Sequence, residues 1–158
     1  MKKMIITLIA FAFLGCSKSE DPESQFNLDV IMEFSVFNSE KQDLLDPETP
    51  GHFDESEITL FYVVDGKTIE VFNAGMDYPK NYIIYKHENE YRIAITLNDT
   101  KTSIEPVTYV KWNETDIDTI KTMYLRGDDY FMKYKVWFNG NLIWELGLDQ
   151  EEYYKIMK

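Results

Sequence analysis

Hydrophobic residues recur at every second position in a series of short segments along this chain, as expected for half-buried β-strands. The first segment shows the alternation at Val30, Met32, Phe34 and Val36. Turn-forming residues separate the segments. The dipeptides Asp65-Gly66 and Asn139-Gly140 predict tight two-residue hairpin turns, because both positions of a type I′ turn need positive φ.

The pattern predicts about eight or nine strands and no helix before Asp149. The predicted strands cover residues 28–36, 58–64, 67–72, 81–86, 91–97, 107–112, 118–126, 130–138 and 141–146. The tail has two readings: Asp149 and Glu152 suit the cap of a short helix, while the alternation in 153–157 favours a last strand. We expect a single antiparallel immunoglobulin-like sandwich, with a small β-barrel as the alternative.

The N-terminal sixteen residues predict export. An apolar run over 4–14 follows Lys2 and Lys3, and it is shorter than the ~20 residues that span a bilayer but typical of a signal peptide. It ends in Gly15-Cys16, which resembles the lipobox of bacterial lipoproteins. The resemblance implies cleavage before Cys16 and attachment of lipid, such as palmitate, to this residue.

The lipobox resemblance and the strand pattern together divide the chain into three regions: a signal peptide over 1–15, a lipid-anchored tether over 16–26 and an immunoglobulin-like domain over 27–158. The tether is small and charged, without hydrophobic periodicity. Ser17 after the cysteine favours the bacterial outer membrane. The run Ser17 to Asp21 also resembles the acidic export tag of Bacteroidota surface lipoproteins, which implies exposure on the cell surface; a plain solvated linker explains the run as well.

A wider resemblance concerns residues 28–146. The chain is similar there to a group of small Bacteroidota lipoproteins of unassigned function. The stretches that carry it are Phe34–Asn38, Asp43–Pro47, Thr49–Gly51, Asp118–Lys121 and Val136–Gly140 with Trp144. These are strand ends, turns and core aromatics, so the resemblance implies an immunoglobulin-like fold on a lipid anchor and transfers no functional residue.

The charge narrows the range of partners. The chain of 158 residues has 16 basic and 28 acidic residues, a net charge of −12, and the predicted signal peptide removes two lysines and no acid. Such a chain repels nucleic acid, so nucleic-acid binding is excluded. The single cysteine is Cys16, so a lipidated protein has neither a disulfide nor a thiol nucleophile.

Known catalytic motifs do not occur in the sequence. His52 and His87 fall in predicted turns without zinc-ligand spacing, and we expect no catalytic residue, metal site or cofactor. Carboxylates are candidates for a hydrolase pair or, in the 38–56 loop, for calcium ligands. These candidates are Asp43, Asp46, Glu48, Asp54, Glu55, Asp116 and Asp118. A solvated surface is the favoured interpretation of these acids, and calcium binding by the loop stays open.

Aromatic residues make up 15% of the chain. Packing in the core is the favoured explanation, but an exposed aromatic could stack on a sugar ring. Strict alternation places Trp137 on one face with Lys133 and Lys135, opposite the apolar residues of 130–138, so Trp137 is the candidate glycan contact. The triplet around Thr119 resembles the O-glycosylation motif of exported Bacteroidota proteins.

The sequence therefore predicts a lipid-anchored, non-enzymatic cell-envelope protein, attached to the membrane through its N-terminal lipid. We expect a binding or adhesion module with an unknown protein or glycan partner. The alternatives are a glycan-binding accessory protein that uses exposed aromatics and, less favoured, a hydrolase that uses loop carboxylates.

Overall fold

The computed structural model describes residues 26–158. This part of the chain is all-β: eleven strands form two sheets that do not close into a barrel, and it contains no helix. The barrel alternative is therefore wrong. Residues 1–25, which include the predicted leader and Cys16, lie outside the described residues. Within 26–158 there is also no helix long and apolar enough to cross a membrane.

The strands follow the alternating segments closely. They are β1 (Asn27–Asp29), β2 (Ile31–Phe37), β3 (Thr59–Val64), β4 (Lys67–Glu70), β5 (Tyr82–His87), β6 (Glu90–Thr96), β7 (Val107–Lys111), β8 (Ile117–Arg126), β9 (Tyr130–Phe138), β10 (Asn141–Glu145) and β11 (Tyr153–Met157). The preferred reading of the tail as a strand is confirmed by β11. The predicted strand 67–72 ends early, at Glu70.

Each sheet contains one parallel pair, so the prediction of a wholly antiparallel fold is wrong. The larger sheet has the order β1-β9-β8-β7-β3-β4, with β10 on the same edge of β9 as β1, and the smaller has the order β11-β2-β6-β5. β1 runs parallel to β9, and β11 runs parallel to β2. The predicted strand 28–36 is divided at Val30, where the chain passes from one sheet to the other.

Both predicted two-residue turns are confirmed. Asp65 and Gly66 have φ of 49° and 74°, and Asn139 and Gly140 have φ of 48° and 83°. Strand pairing continues directly on either side of each dipeptide. The positive φ at both central positions matches the type I′ geometry, which fits the twist of the flanking strands.

The core lies between the two sheets and contains the apolar face predicted for β2. Met32, Phe34 and Val36 are fully buried, and burying each such side chain contributes ~1.5–3 kcal/mol. The 38–56 loop contributes as well, since Leu44 and Leu45 are buried in the same cluster. The long loop is thus packed onto the domain.

A bulge in β9 overturns part of the predicted face pattern. Met123 and Tyr124 of β8 are consecutive, but their partners on β9 are Lys135 and Lys133, so Tyr134 is the extra residue. Lys133 is consequently buried, bonded to Asp29 at 2.5 Å. Strict alternation predicts that Lys133 shares the outer face with Trp137, and this prediction is wrong.

Candidate functional site

The candidate site is a pocket of about 590 Å³ between two loops. One is the 54–58 segment that precedes β3, and the other is the 71–81 loop that joins β4 to β5. The lining residues are Glu55, Ser56, Phe72, Asp77, Tyr78, Pro79, Lys80 and Tyr82. Its volume lies in the range of ligand pockets, ~300–1,000 Å³, and its lining combines aromatic with charged side chains.

Two side chains fasten the loops to each other. The buried Tyr82, at the start of β5, shares its single hydroxyl proton between the carbonyls of Glu55, at 2.8 Å, and Ile58, at 3.2 Å. The Lys80 ammonium donates to the carbonyls of Ser56, at 2.8 Å, and Ile58, at 2.9 Å. These bonds cross from one loop to the other, so they fix the two walls of the pocket relative to each other.

The 71–81 loop holds its shape through backbone hydrogen bonds around Asn73. The Asn73 amide donates to the Pro79 carbonyl at 2.8 Å, which closes the loop, and the Met76 amide donates to the Asn73 carbonyl at 3.1 Å. The Asn73 side-chain oxygen accepts from the Gly75 amide at 3.1 Å. The loop therefore keeps its form while Phe72, Met76 and Tyr78 stay exposed.

Two aromatic side chains of this loop face water. Phe72 is 64% exposed and Tyr78 is 53% exposed. The carboxylates of Glu55 and Asp77 are exposed beside them in the same pocket. Flat apolar faces next to hydrogen-bond acceptors suit a ligand that has both an apolar face and hydroxyl groups.

The rim of the pocket is negatively charged. Hydrogen bonds from the side chain and the backbone of Ser56 lower the pKa of Asp54, which keeps this carboxylate ionised beside the pocket. Burial raises the pKa of Tyr82, and the nearby charges of Glu55 and Asp54 raise it further. Tyr82 thus stays a neutral hydrogen-bond donor, and its role is to hold the loops together.

Of the candidate residues named from the sequence, Glu55 lines the pocket, whereas the predicted glycan contact and the predicted glycosylation site lie elsewhere. Trp137 is half-buried on β9, with the Lys121 ammonium 4.6 Å from its ring centroid. Thr119 is half-buried on β8, and its amide donates to the side-chain oxygen of Asn139 at 2.9 Å. Neither residue lines the pocket, and their assigned roles as glycan contact and glycosylation site stay predictions, as does the lipidation of Cys16.

The carboxylate pair Asp116 and Asp118 is held by a lysine. The Lys158 ammonium lies 2.7 Å from an oxygen of Asp116 and 2.6 Å from an oxygen of Asp118. Asp118 is buried and also accepts hydrogen bonds from the Trp112 indole at 2.6 Å and from the Asn139 amide group at 2.7 Å. This arrangement stabilises the fold by satisfying buried polar groups.

Acids of the 38–56 loop bond to backbone amides. Asp43 accepts from the amides of Tyr91, at 2.6 Å, and Leu45, at 2.9 Å, which attaches the loop to β6. Asp46 accepts from the Glu48 amide at 2.9 Å. The loop acids thereby set the turns of this segment.

The two histidines lie at turns. His52 is exposed, with Nδ1 3.0 Å from the Thr49 carbonyl oxygen, and His87 is half-buried at the end of β5, its ring edge-on to Tyr85. Over residues 26–158, no three His, Cys, Asp or Glu side chains are grouped so that they could hold a metal ion.

Sequence reasoning missed the aromatic residues of the pocket. The sequence pattern assigns Phe72 to a strand and indicates no role for Tyr78. The sequence does contain a usable signal, since Asn73 to Pro79 is rich in turn formers, contains Tyr78 and directly follows Phe72. An aromatic residue in such a loop has fewer neighbours to cover it than one in a strand.

Comparison with known proteins gave no matching family model, and neither the curated proteins nor the solved structures contain a significant match. The residues themselves therefore carry the functional argument. The resemblance to small Bacteroidota lipoproteins stays a prediction.

Proposed function

We propose that this chain is a lipid-anchored, non-enzymatic binding or adhesion module of the bacterial cell envelope, attached to the outer membrane through Cys16. The observation that carries the proposal is the leader, in which a basic start and a short apolar run end at the only cysteine of the chain. The charged tether before β1 would separate the domain from the membrane surface.

The fold supports a binding role for the domain. Its two sheets form a sandwich-like core, which we propose is immunoglobulin-like, and a rigid core of this kind positions loops for recognition. The 71–81 loop and the 54–58 segment provide such a position. A glycan-binding accessory role is the second candidate, favoured by the exposed aromatic rings of Phe72 and Tyr78.

The anchor can be tested in a bacterial host that expresses the full chain. We expect wild-type protein to incorporate an alkyne-labelled palmitate analogue and to fractionate with the outer membrane. Cys16→Ser should lose the label, whereas the neighbouring Ser17→Ala control should keep it. An unlabelled wild-type protein in the cytosol would contradict the proposal. The intact mass of the same protein also reports the lipid and any sugar on Thr119.

A further inference from the structure

We propose that the pocket between the 54–58 segment and the 71–81 loop binds a short neutral oligosaccharide. In this assignment Phe72 and Tyr78 stack on sugar rings, while Glu55 and Asp77 accept hydrogen bonds from hydroxyl groups. The inference rests on the proposed binding role of the domain and names its ligand class.

The exposure of two aromatic side chains supports a sugar as the ligand. Phe72 and Tyr78 are more than half exposed although the core of the same domain buries other aromatic rings, such as Phe34. Met76, in the same loop, is 54% exposed. Apolar side chains that gather at one exposed place mark a binding surface more often than isolated ones do. The C–H face of a pyranose is an apolar surface that matches an aromatic ring.

The pocket offers both hydrogen-bond acceptors and a donor. Glu55 and Asp77 can only accept hydrogen bonds when ionised. An ammonium has three N–H donors, and two of those on Lys80 go to the Ser56 and Ile58 carbonyls, which leaves one for a ligand. Sugar hydroxyls both donate and accept, so they can satisfy both kinds of group.

The charge around the pocket disfavours an anionic sugar. Ionised Asp54 lies beside the pocket, Glu55 and Asp77 line it, and the whole chain has a net charge of −12. A uronic acid or a sulfated glycan would be repelled by this field. A neutral oligosaccharide avoids the repulsion and still uses the carboxylates as acceptors.

The shape of the pocket is fixed by side-chain hydrogen bonds. The bonds from Lys80 and Tyr82 to the opposite loop are formed without a ligand. Walls that are already ordered lose little conformational freedom on binding, which favours affinity for a small ligand. The volume of about 590 Å³ can accommodate a short oligosaccharide.

The test is saturation-transfer NMR and calorimetry on the mature full chain in detergent micelles. The probes are the trimers of neutral glucans, mannan, galactan and chitin, with a trigalacturonate and a lysine-rich peptide for comparison. We expect saturable binding of at least one neutral trimer. Phe72→Ala and Tyr78→Ala should each weaken that binding by roughly tenfold, and Tyr78→Phe should retain it because the ring remains.

Two matched variants control for a general loss of aromatic surface. Phe26→Ala removes a ring that is 57% exposed outside the pocket, and Trp137→Ala removes the candidate contact on β9. Both should bind the trimer like wild type. Unchanged thermal melting is expected for Phe72→Ala and Tyr78→Ala, which change exposed residues in a loop. Trp137 is half-buried on β9, so the melting curve of Trp137→Ala must show a folded protein before its binding is compared.

Several results would overturn the inference. These are saturable binding of none of the neutral trimers, tighter binding of the trigalacturonate or the lysine-rich peptide, and loss of trimer binding in Trp137→Ala alone. None of them affects the anchor, which the palmitate label on Cys16 tests separately. Conversely, an unlabelled Cys16 would overturn the proposed attachment while sugar binding by the pocket could still be measured.

Discussion

The buried carboxylate of Asp118 offers the sharpest test of what holds the domain together. Asp118 is only 5% exposed, and its carboxylate accepts hydrogen bonds from Trp112, Asn139 and Lys158. Asp118→Asn keeps the shape but removes the charge and replaces one acceptor with a donor. One of the three donors then faces an N–H group, and the Lys158 ammonium loses one of its two carboxylates.

Removing one partner of a buried ion pair costs about 3–5 kcal/mol. Asp116 remains 2.7 Å from the Lys158 ammonium, so we expect the lower end of that range, ~3 kcal/mol. Urea unfolding at pH 7, followed by tryptophan fluorescence, should show a lower midpoint with an unchanged slope. The exposed Asp77→Asn control should stay within about 0.5 kcal/mol of wild type.

A double-mutant cycle with Lys158→Met separates the ion pair from the other two bonds of Asp118. If the pair contributes as argued, the combined variant loses less stability than the sum of the single variants, because the single changes each leave a charged partner behind. A loss below about 1 kcal/mol for Asp118→Asn, or additive effects in the cycle, would refute the reasoning.

Three further predictions concern stability. Ser35 is fully buried, and its Oγ has no hydrogen-bond partner within residues 26–158. Ser35→Ala should therefore leave the free energy of unfolding in urea unchanged or raise it by up to about 1 kcal/mol. A clear decrease would contradict this and show that the Oγ makes a hydrogen bond. Burial raises the pKa of Tyr62 to about 12, so the unfolded chain loses this proton first above pH 10. The stability that Tyr62 contributes should therefore be complete well below pH 10 and fall by on the order of 1 kcal/mol by pH 11, in addition to the loss from other buried tyrosines such as Tyr82. A Tyr62→Phe variant with the same slope as wild type would exclude this cause. Gly140 has φ of 83°, so Gly140→Ala should lower the free energy of unfolding by about 1 kcal/mol, and an unchanged thermal midpoint would count against turn strain.

Local signals predicted most of the strands but not all of their pairings. The turns at Asp65-Gly66 and Asn139-Gly140 identify hairpins because their φ requirements are set by the two residues themselves. The parallel pairing of β1 with β9 joins segments that are distant in sequence, and no turn connects them. The bulge at Tyr134 is equally hidden, since one extra residue reverses the faces without changing the composition of the strand.

The candidate site was less predictable than the fold. The sequence predicts Tyr82 only as an aromatic residue of a strand. Nothing in it shows that the Tyr82 hydroxyl bonds to the carbonyls of Glu55 and Ile58. Lys80 likewise reads as a surface charge. The pocket exists only because these two side chains reach a segment more than twenty residues away, which is a tertiary contact.

The distribution of aromatic rings connects the fold with the proposed ligand. Phe34 and Trp112 are buried in the core, where strand pairing and the second sheet cover them. The loop that carries Phe72 and Tyr78 is held by backbone bonds at Asn73 and by the Lys80 contacts, so its stability does not require their burial. Aromatic surface that the fold does not need remains available for a sugar ring, and removing it should change binding without changing stability.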